Sequence, residues 1–246
     1  SYDDAYAGRY TLKASELSAV KPSFSSTDGY GHVSARRAFE ELLDISLDPV
    51  ASIGGALWGV DNVDAPEVWN GGSIFPGTTG GGTTVAVIDT GVDLDHPEFA
   101  GRIVAGYDFV DNDSIADDGD GHGTHVAGII AGANDGQGIT GVAHDTSIMP
   151  LRVLDNDGNG WVSDIISAVR WAADNGADVI NLSLGGDGSS QAMADAIRYA
   201  SQRGSVVVMA SGNTGSNSPD YPAAHAINHG IACLLYTSDA ADEGLG

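Results

Sequence analysis

The chain has 246 residues, with 34 Asp and Glu against 10 Lys and Arg, for a formal net charge of -24. Such acidity excludes nucleic acid and anionic membrane surfaces as ordinary partners, because phosphate binding needs clustered cations. Its single cysteine, Cys233, excludes an intrachain disulfide and a cysteine-based metal site.

The length suits one α/β domain with a substantial core, plus extensions. Apolar runs of about 18 residues are absent, and so is a leader with a basic start, apolar middle and small-residue end. The chain opens on Ser1 and is read as trimmed there. Residues 1–57 show little periodicity and form a pre-domain segment, a propeptide remnant or linker. Within it a short helix is predicted over Ala35–Leu43, with Phe39, Leu42 and Leu43 on one side.

From there the main domain is assigned to residues 58–232. Gly-rich spacing over 71–82 leads into Thr83-Thr84-Val85-Ala86-Val87-Ile88, a continuous apolar run of the kind buried on both faces of a parallel sheet. A helix over His122–Ala131, an apolar run at 148–154, a helix over 162–175 and a strand at Val179–Leu182 come next. A helix over Gln191–Gln202 and a strand at 206–209 complete the pattern. In the helix after Trp161, the residues Val162, Ile165, Ile166, Val169, Ala172 and Ala173 recur at helical spacing, and Gly176 ends it. Strands alternating with helices imply right-handed crossovers and a doubly wound, mostly parallel sheet with helices on both faces. Such sheets gather their sites at the carboxyl ends of the strands.

Three chemically apt residues fall at such ends. Asp89 closes the first buried run, just before Thr90-Gly91. His122 opens a helix within Gly121-His122-Gly123-Thr124-His125-Val126-Ala127-Gly128, where small residues allow close packing. Asn213 comes after the strand ending Ala210-Ser211-Gly212. Together with Asn181-Leu182-Ser183-Leu184-Gly185-Gly186, these segments resemble the signatures of the subtilisin-like serine proteases (subtilases), in the family's order.

The resemblance implies the Asp-His part of an Asp-His-Ser triad and an amide for the oxyanion. Asp89 would orient His122, His122 would act as base, and Asn213 would donate to the oxyanion, whereas His125 would be structural. By the same resemblance Ser183, Leu184 and Gly185 form one wall of a peptide groove and Gly160, Trp161 and Val162 the other. Ala210, Ser211 and Gly212 line the pocket for the residue before the scissile bond. A structural Ca2+ is implied at Glu98, Ala133, Asp135, Gln137 and Ile139, with Asn134 beside them, since hard oxygen donors suit that ion. Polypeptide substrates, a monomeric state and secretion are further expectations from the family. Gly29-Tyr30-Gly31-His32-Val33-Ser34-Ala35 also resembles segments found before the catalytic domain of some bacterial calcium-dependent subtilases.

Other signals are set aside. Asp155-Asn156-Asp157-Gly158-Asn159-Gly160 opens like a calcium-binding helix-loop-helix, but the position of the required bidentate Glu is Ile166. Gly136-Gln137-Gly138-Ile139-Thr140-Gly141 has dinucleotide-fingerprint spacing but comes after a helix instead of a strand. Asp111, Asp113, Asp117, Asp118 and Asp120 read as a solvated run, with a second ion as the alternative. His96, His144, His225 and His229 are expected in loops or at the surface.

The Gly-Thr-Ser-Met-Ala-like segment that carries the family's nucleophile is expected beyond residue 232. Residues 233–246 read as foreign sequence: Cys233-Leu234-Leu235-Tyr236-Thr237-Ser238-Asp239-Ala240-Ala241-Asp242-Glu243 resembles the in-frame translation of a transposase sequencing adapter. The 246-residue polypeptide is therefore expected to be an inactive fragment of a serine endopeptidase. The alternative is a catalytically dead relative that binds peptides.

Overall fold

The computed structural model describes residues 34–53, 57–213 and 219–225, and the backbone of 234–236. Among the described residues the chain begins with three short helices, α1 (Ala35–Leu43), α2 (Trp58–Asn62) and α3 (Ala65–Asn70). Ser34 caps α1, its Oγ accepting from the Arg37 N–H, and Asp44 ends it in a left-handed conformation. This helix has the predicted bounds. Helices α2 and α3 leave no mark in the sequence pattern, because five or six residues are too few to show a 3.6-residue period.

The segment around α1 is docked on the start of the main domain. Ala35 N–H donates to Val63 O at 2.7 Å, Asp48 N–H donates to Gly71 O at 3.1 Å, and Leu47 is fully enclosed. Phe39 meets Phe75 with ring centres 5.6 Å apart. Helix α3 is tied to the domain by Trp69 Nε1–H, which donates to Val142 O.

The apolar runs make the sheet. Strand β1 (Thr84–Asp89) is buried throughout after Thr84. The others are β2 (Tyr107–Asp108), β3 (Ser147–Arg152), β4 (Val179–Leu182), β5 (Val206–Ala210) and β6 (Leu234–Tyr236). They lie in the order β2-β3-β1-β4-β5-β6, and every neighbouring pair is parallel. After β1 the chain passes to the edge strand β2, returns to β3 beside β1, and then crosses to the other side of β1 through β4. The reversal places a switch point at the carboxyl end of β1, where open parallel sheets form crevices. Strand β6 pairs with β5 at the edge, within the stretch read as adapter-like.

Three helices of ten or more residues cover the two faces: α4 (His122–Ala131), α5 (Val162–Asp174) and α6 (Gln191–Gln202). Strand alternation divides the core between them. Val85, Val87 and Ile148 join Val126, Ala127 and Ala131 of α4 on one face. Ala86, Ile88, Leu151, Ile180, Leu182 and Met209 pack against α5 and α6 on the other. The doubly wound parallel fold results from this division. Ile180 lies at the centre of the larger cluster with no exposed surface. Ile180→Ala is expected to lower unfolding free energy by about 2 to 5 kcal/mol, measurable in urea titrations, because the cavity cannot collapse between β1 and β5.

Candidate active site

Asp89 is the last residue of β1 and is wholly buried. Its Oδ1 accepts from the Thr90 N–H and lies 2.7 Å from Nδ1 of His122, the first residue of α4. The His122 side chain keeps 23% of its surface exposed, so the ring joins a buried carboxylate to an open cleft. Asp89 Oδ2 has no hydrogen-bond partner among the described residues. Burial pushes the Asp89 carboxyl up, while the hydrogen bond and charge of His122 oppose the rise.

Helix α4 comes this close because residue 123 is glycine. A Cβ there would lie 2.0 Å from Gly91 O and 3.1 Å from Asp89 Cβ. The helix start lacks a capping side chain at Gly121, and Asp118 supplies the missing acceptors. Asp118 Oδ1 accepts from Gly121 N–H and Thr90 Oγ1–H, and Oδ2 accepts from the Thr124 N–H. Thr90 Oγ1 in turn accepts from the Gly123 N–H at 3.0 Å. One carboxylate therefore links the turn after β1 to the first turn of α4, and so supports both Asp89 and His122.

Burial of Asp118 opposes ionisation, but hydrogen bonds from Thr124, Gly121 and Thr90 outweigh it and hold its carboxyl below the ordinary value. A depressed folded-state pKa gives stability that is fully present above the unfolded value and is lost as pH falls through the folded one. Asp118→Asn is expected to lower the melting temperature at neutral pH and to flatten its decline in the acid range, as scanning calorimetry at stepped pH would show.

Beside His122 lies a cleft of about 600 Å³. Of the groove residues predicted, Gly160, Val162, Ser183, Leu184 and Gly185 line it together with His122. Trp161 stands on its rim, 77% exposed. Ala210, Ser211, Gly212 and Asn213 lie at the carboxyl end of β5, outside the cleft lining. They are tied to it through Asp220, whose N–H donates to Ser211 O, and through Tyr221, which forms a two-way bridge with Gly186. Thr90, Asp120, Tyr221 and His225 also line the cleft, beyond the residues predicted. Asp120, two residues before His122 in an acidic turn, carried the nearest usable signal.

A family model described as the subtilase family, peptidase S8, matches residues 80–231. The chain belongs to the subtilase family. Thermitase of Thermoactinomyces vulgaris is 46% identical over 167 residues, covering 68% of this chain and 58% of that protein. Subtilisin BL of Lederbergia lenta is 43% identical over 169 residues, covering 69% and 60%. Among solved structures, a cold adapted subtilisin-like serine proteinase aligns with a TM-score of 0.55 at 43% identity, covering 65% of this chain and 57% of that one. Sphericase aligns with a TM-score of 0.59 at 32% identity, covering 70% and 58%. This subtilase chain thus spans less than two thirds of each of these relatives.

The loop after α4 bears on the calcium expectation. Glu98 Oε2 accepts from the Ala133 N–H at 2.7 Å, and its Oε1 faces Gly138, 2.3 Å from where a Cβ would stand. Asp135 Oδ1 accepts from the Gln137 N–H. Glu98 is thereby brought onto the 133–139 loop across a long stretch of sequence. No cluster of three or more His, Cys, Asp or Glu able to hold a metal occurs among the described residues. Calcium here would therefore depend on main-chain and amide oxygens beside the carboxylates of Glu98 and Asp135.

Of the other histidines, His144 lies in a turn, as expected, yet is buried, and His225 departs from the expectation, being buried in a helical turn. His144 is buried with its ring edge-on to Trp69, centres 4.7 Å apart, and burial lowers its pKa. His225 is wholly buried against Tyr221 with ring centres 4.7 Å apart. His96 is partly buried, and His229 lies outside the described residues. The acidic run is occupied largely with turns: Asp108, Asp113 and Asp120 accept main-chain N–H groups of neighbouring residues, and Arg152 bridges Asp108 and Asp111. In the 155–160 loop Asp155 Oδ1 accepts from the Asp157 and Asn159 N–H groups, making a self-closed turn.

Proposed function

We propose that this chain is the Asp-His portion of a serine endopeptidase. The observation that supports it most directly is the 2.7 Å contact between the buried Asp89 and the cleft-facing His122. In this reading a serine outside the described residues attacks the peptide carbonyl. His122 takes the hydroxyl proton and returns it to the leaving amine, Asp89 fixes the proton on Nδ1 and stabilises the cationic ring, and Asn213 donates to the oxyanion. Ser183, Leu184 and Gly185 offer the peptide a strand-like edge, Gly160, Trp161 and Val162 bound it opposite, and Ala210, Ser211 and Gly212 shape the pocket before the scissile bond.

Residues 58–232 are assigned to the peptidase domain, 1–57 to the segment before it, and 233–246 to the adapter-like stretch. The enzyme works outside the cell as a monomer, and the polypeptide of residues 1–246 alone does not hydrolyse peptides. Among the described residues no helix is long and apolar enough to cross a membrane. The test is casein hydrolysis by the full-length gene product with and without a serine-directed fluorophosphonate. Hydrolysis abolished by the reagent is expected; peptide binding with no hydrolysis would replace this reading with that of a binding relative.

Calcium is assigned to the 133–139 loop, with side-chain oxygens of Glu98, Asp135 and Gln137 and main-chain oxygens of Ala133 and Ile139 as its donors. Bound calcium supplies structural charge compensation there. Chelation with EDTA is expected to lower the melting temperature of the full-length protein, and Ca2+ but not Mg2+ to restore it. At 100 times its Kd the ion would contribute about 2.7 kcal/mol.

A further inference from the structure

Arg152 ends β3 between two other strand ends, in register with Asp89 of β1 on one side and Asp108 of β2 on the other. Its side chain is 12% exposed, and its guanidinium meets three partners. Nη1 donates to Asp108 Oδ2 at 2.8 Å and to Asp111 Oδ2 at 2.7 Å, and Nη2 donates to Asn156 Oδ1 at 2.8 Å. Asp108 is buried, and its Oδ1 accepts from the Val110 and Asp111 N–H groups, so it is itself fixed. Asp111 is exposed, and solvent screens its share of the pairing. The fork is thus anchored on Asp108, and its second arm reaches out to the 155–160 loop.

What that arm holds is part of the cleft. Gly158, Asn159 and Gly160 line it, whereas Arg152 and Asn156 stand behind the lining. The loop is closed on itself: Asp155 N–H donates to Asn159 O, Gly158 N–H donates to Asp155 O, and Leu154 pairs with Gly160. Those bonds set the shape of the loop. The bond from Arg152 to Asn156 ties that shape to the sheet.

On its other side the Asn156 amide lies against Gly119. A Cβ on residue 119 would fall 2.3 Å from Asn156 Oδ1 and 2.6 Å from Nδ2, so the amide occupies room that a glycine leaves. Gly119 belongs to the turn that opens α4, in which Asp118 Oδ1 accepts from the Asp120 and Gly121 N–H groups and Asp120 Oδ1 accepts from the His122 N–H. Asn156 is therefore wedged between the guanidinium and the turn that carries His122. Moving it changes the gap between the cleft wall and the imidazole.

We propose that Arg152, acting through Asn156, is a positioning residue that sets the 155–160 wall at a fixed distance from His122 and so governs how tightly the cleft holds an extended peptide. The proposal rests on the peptidase reading above and adds to it a part remote from the reacting atoms. An arginine suits the task because its planar fork spans Asp108 and Asn156 at once, which the single point charge of a lysine does not.

The test compares two substrates of the full-length protein: a peptide anilide with four residues before the cut, which reaches the wall, and an N-acetyl ester of its last residue, which does not. Asn156→Ala removes an exposed side chain and is expected to lower the ratio of kcat/KM for peptide over ester about tenfold, the factor one charged hydrogen bond supplies, with the change in KM. Gly119→Ala, whose methyl displaces the amide from the other side, should act in the same direction. Arg152→Lys should reproduce the loss, and combining it with Asn156→Ala should cost no more than either change alone, as coupled residues require. Asn156→Asp, which keeps an acceptor for Nη2, should retain the ratio. An unchanged ratio in Asn156→Ala, or equal losses on peptide and ester, would overturn the positioning role, and so would an Asn156→Asp variant as defective as the alanine. Cleavage of neither substrate by the unmodified protein would instead show that the peptidase reading itself has failed, and the proposal with it.

Discussion

Asp89→Asn in the full-length protein is expected to lower kcat for peptide hydrolysis by roughly 10⁴-fold, the size this change has in serine-protease triads. An amide at this position can donate to Nδ1 and so place the imidazole proton on the nitrogen that must accept from serine. It also withdraws the negative charge that balances the cationic ring. Folding should respond differently. Burial holds the folded-state pKa of Asp89 above its unfolded value, so the native state retains the proton more strongly and ionisation costs stability as pH rises through that interval. At neutral pH the uncharged amide removes this cost. A melting temperature unchanged or raised, together with the loss in kcat, would locate the defect in chemistry. Unimpaired turnover would remove Asp89 from the mechanism.

Long elements and their ends were legible in the sequence because each carried its own period or stop. The helix over Ala35–Leu43, the helix opening at His122 and the strand at Val179–Leu182 have the bounds their patterns indicate. Pattern failed where the element was shorter than a period, as in α2, α3 and the two-residue β2, which is a strand only because β3 pairs with it. The Asp89-His122 pair was legible from motif and order. Its support was not: Asp118 sat in an acidic run whose other members look the same in sequence, and only the fold brings it onto both Thr90 and Thr124. The burial of His144 and His225 was not legible, because burial of a lone imidazole depends on what packs against it, Trp69 for His144 and Tyr221 for His225.

The closeness of α4 to β1 makes a second large effect predictable. In an isolated helix, alanine is favoured over glycine by about 1 kcal/mol, so helix propensity alone would make Gly123→Ala stabilising. Here the added methyl would stand 2.0 Å from the carbonyl oxygen of Gly91, more than an ångström inside contact, and the obstacle is backbone. Overpacking of this kind costs about 1 to 3 kcal/mol or more, which exceeds the propensity gain and decides the sign. Relief requires the first turn of α4 to move away from β1, and His122 is the residue that begins that turn. A displacement of about 1 Å at a reacting group can cost about 10²-fold in rate. Gly123→Ala in the full-length protein is therefore expected to lose at least about 100-fold in kcat/KM and to unfold at lower urea. Gly128→Ala on the same helix is the matched comparison. Its methyl would meet only Ile139 Cδ1, at 3.2 Å, the flexible end of a side chain that can turn aside. That variant should keep most of the activity, and equal behaviour of the two would mean that the close approach at Gly123 does not position His122.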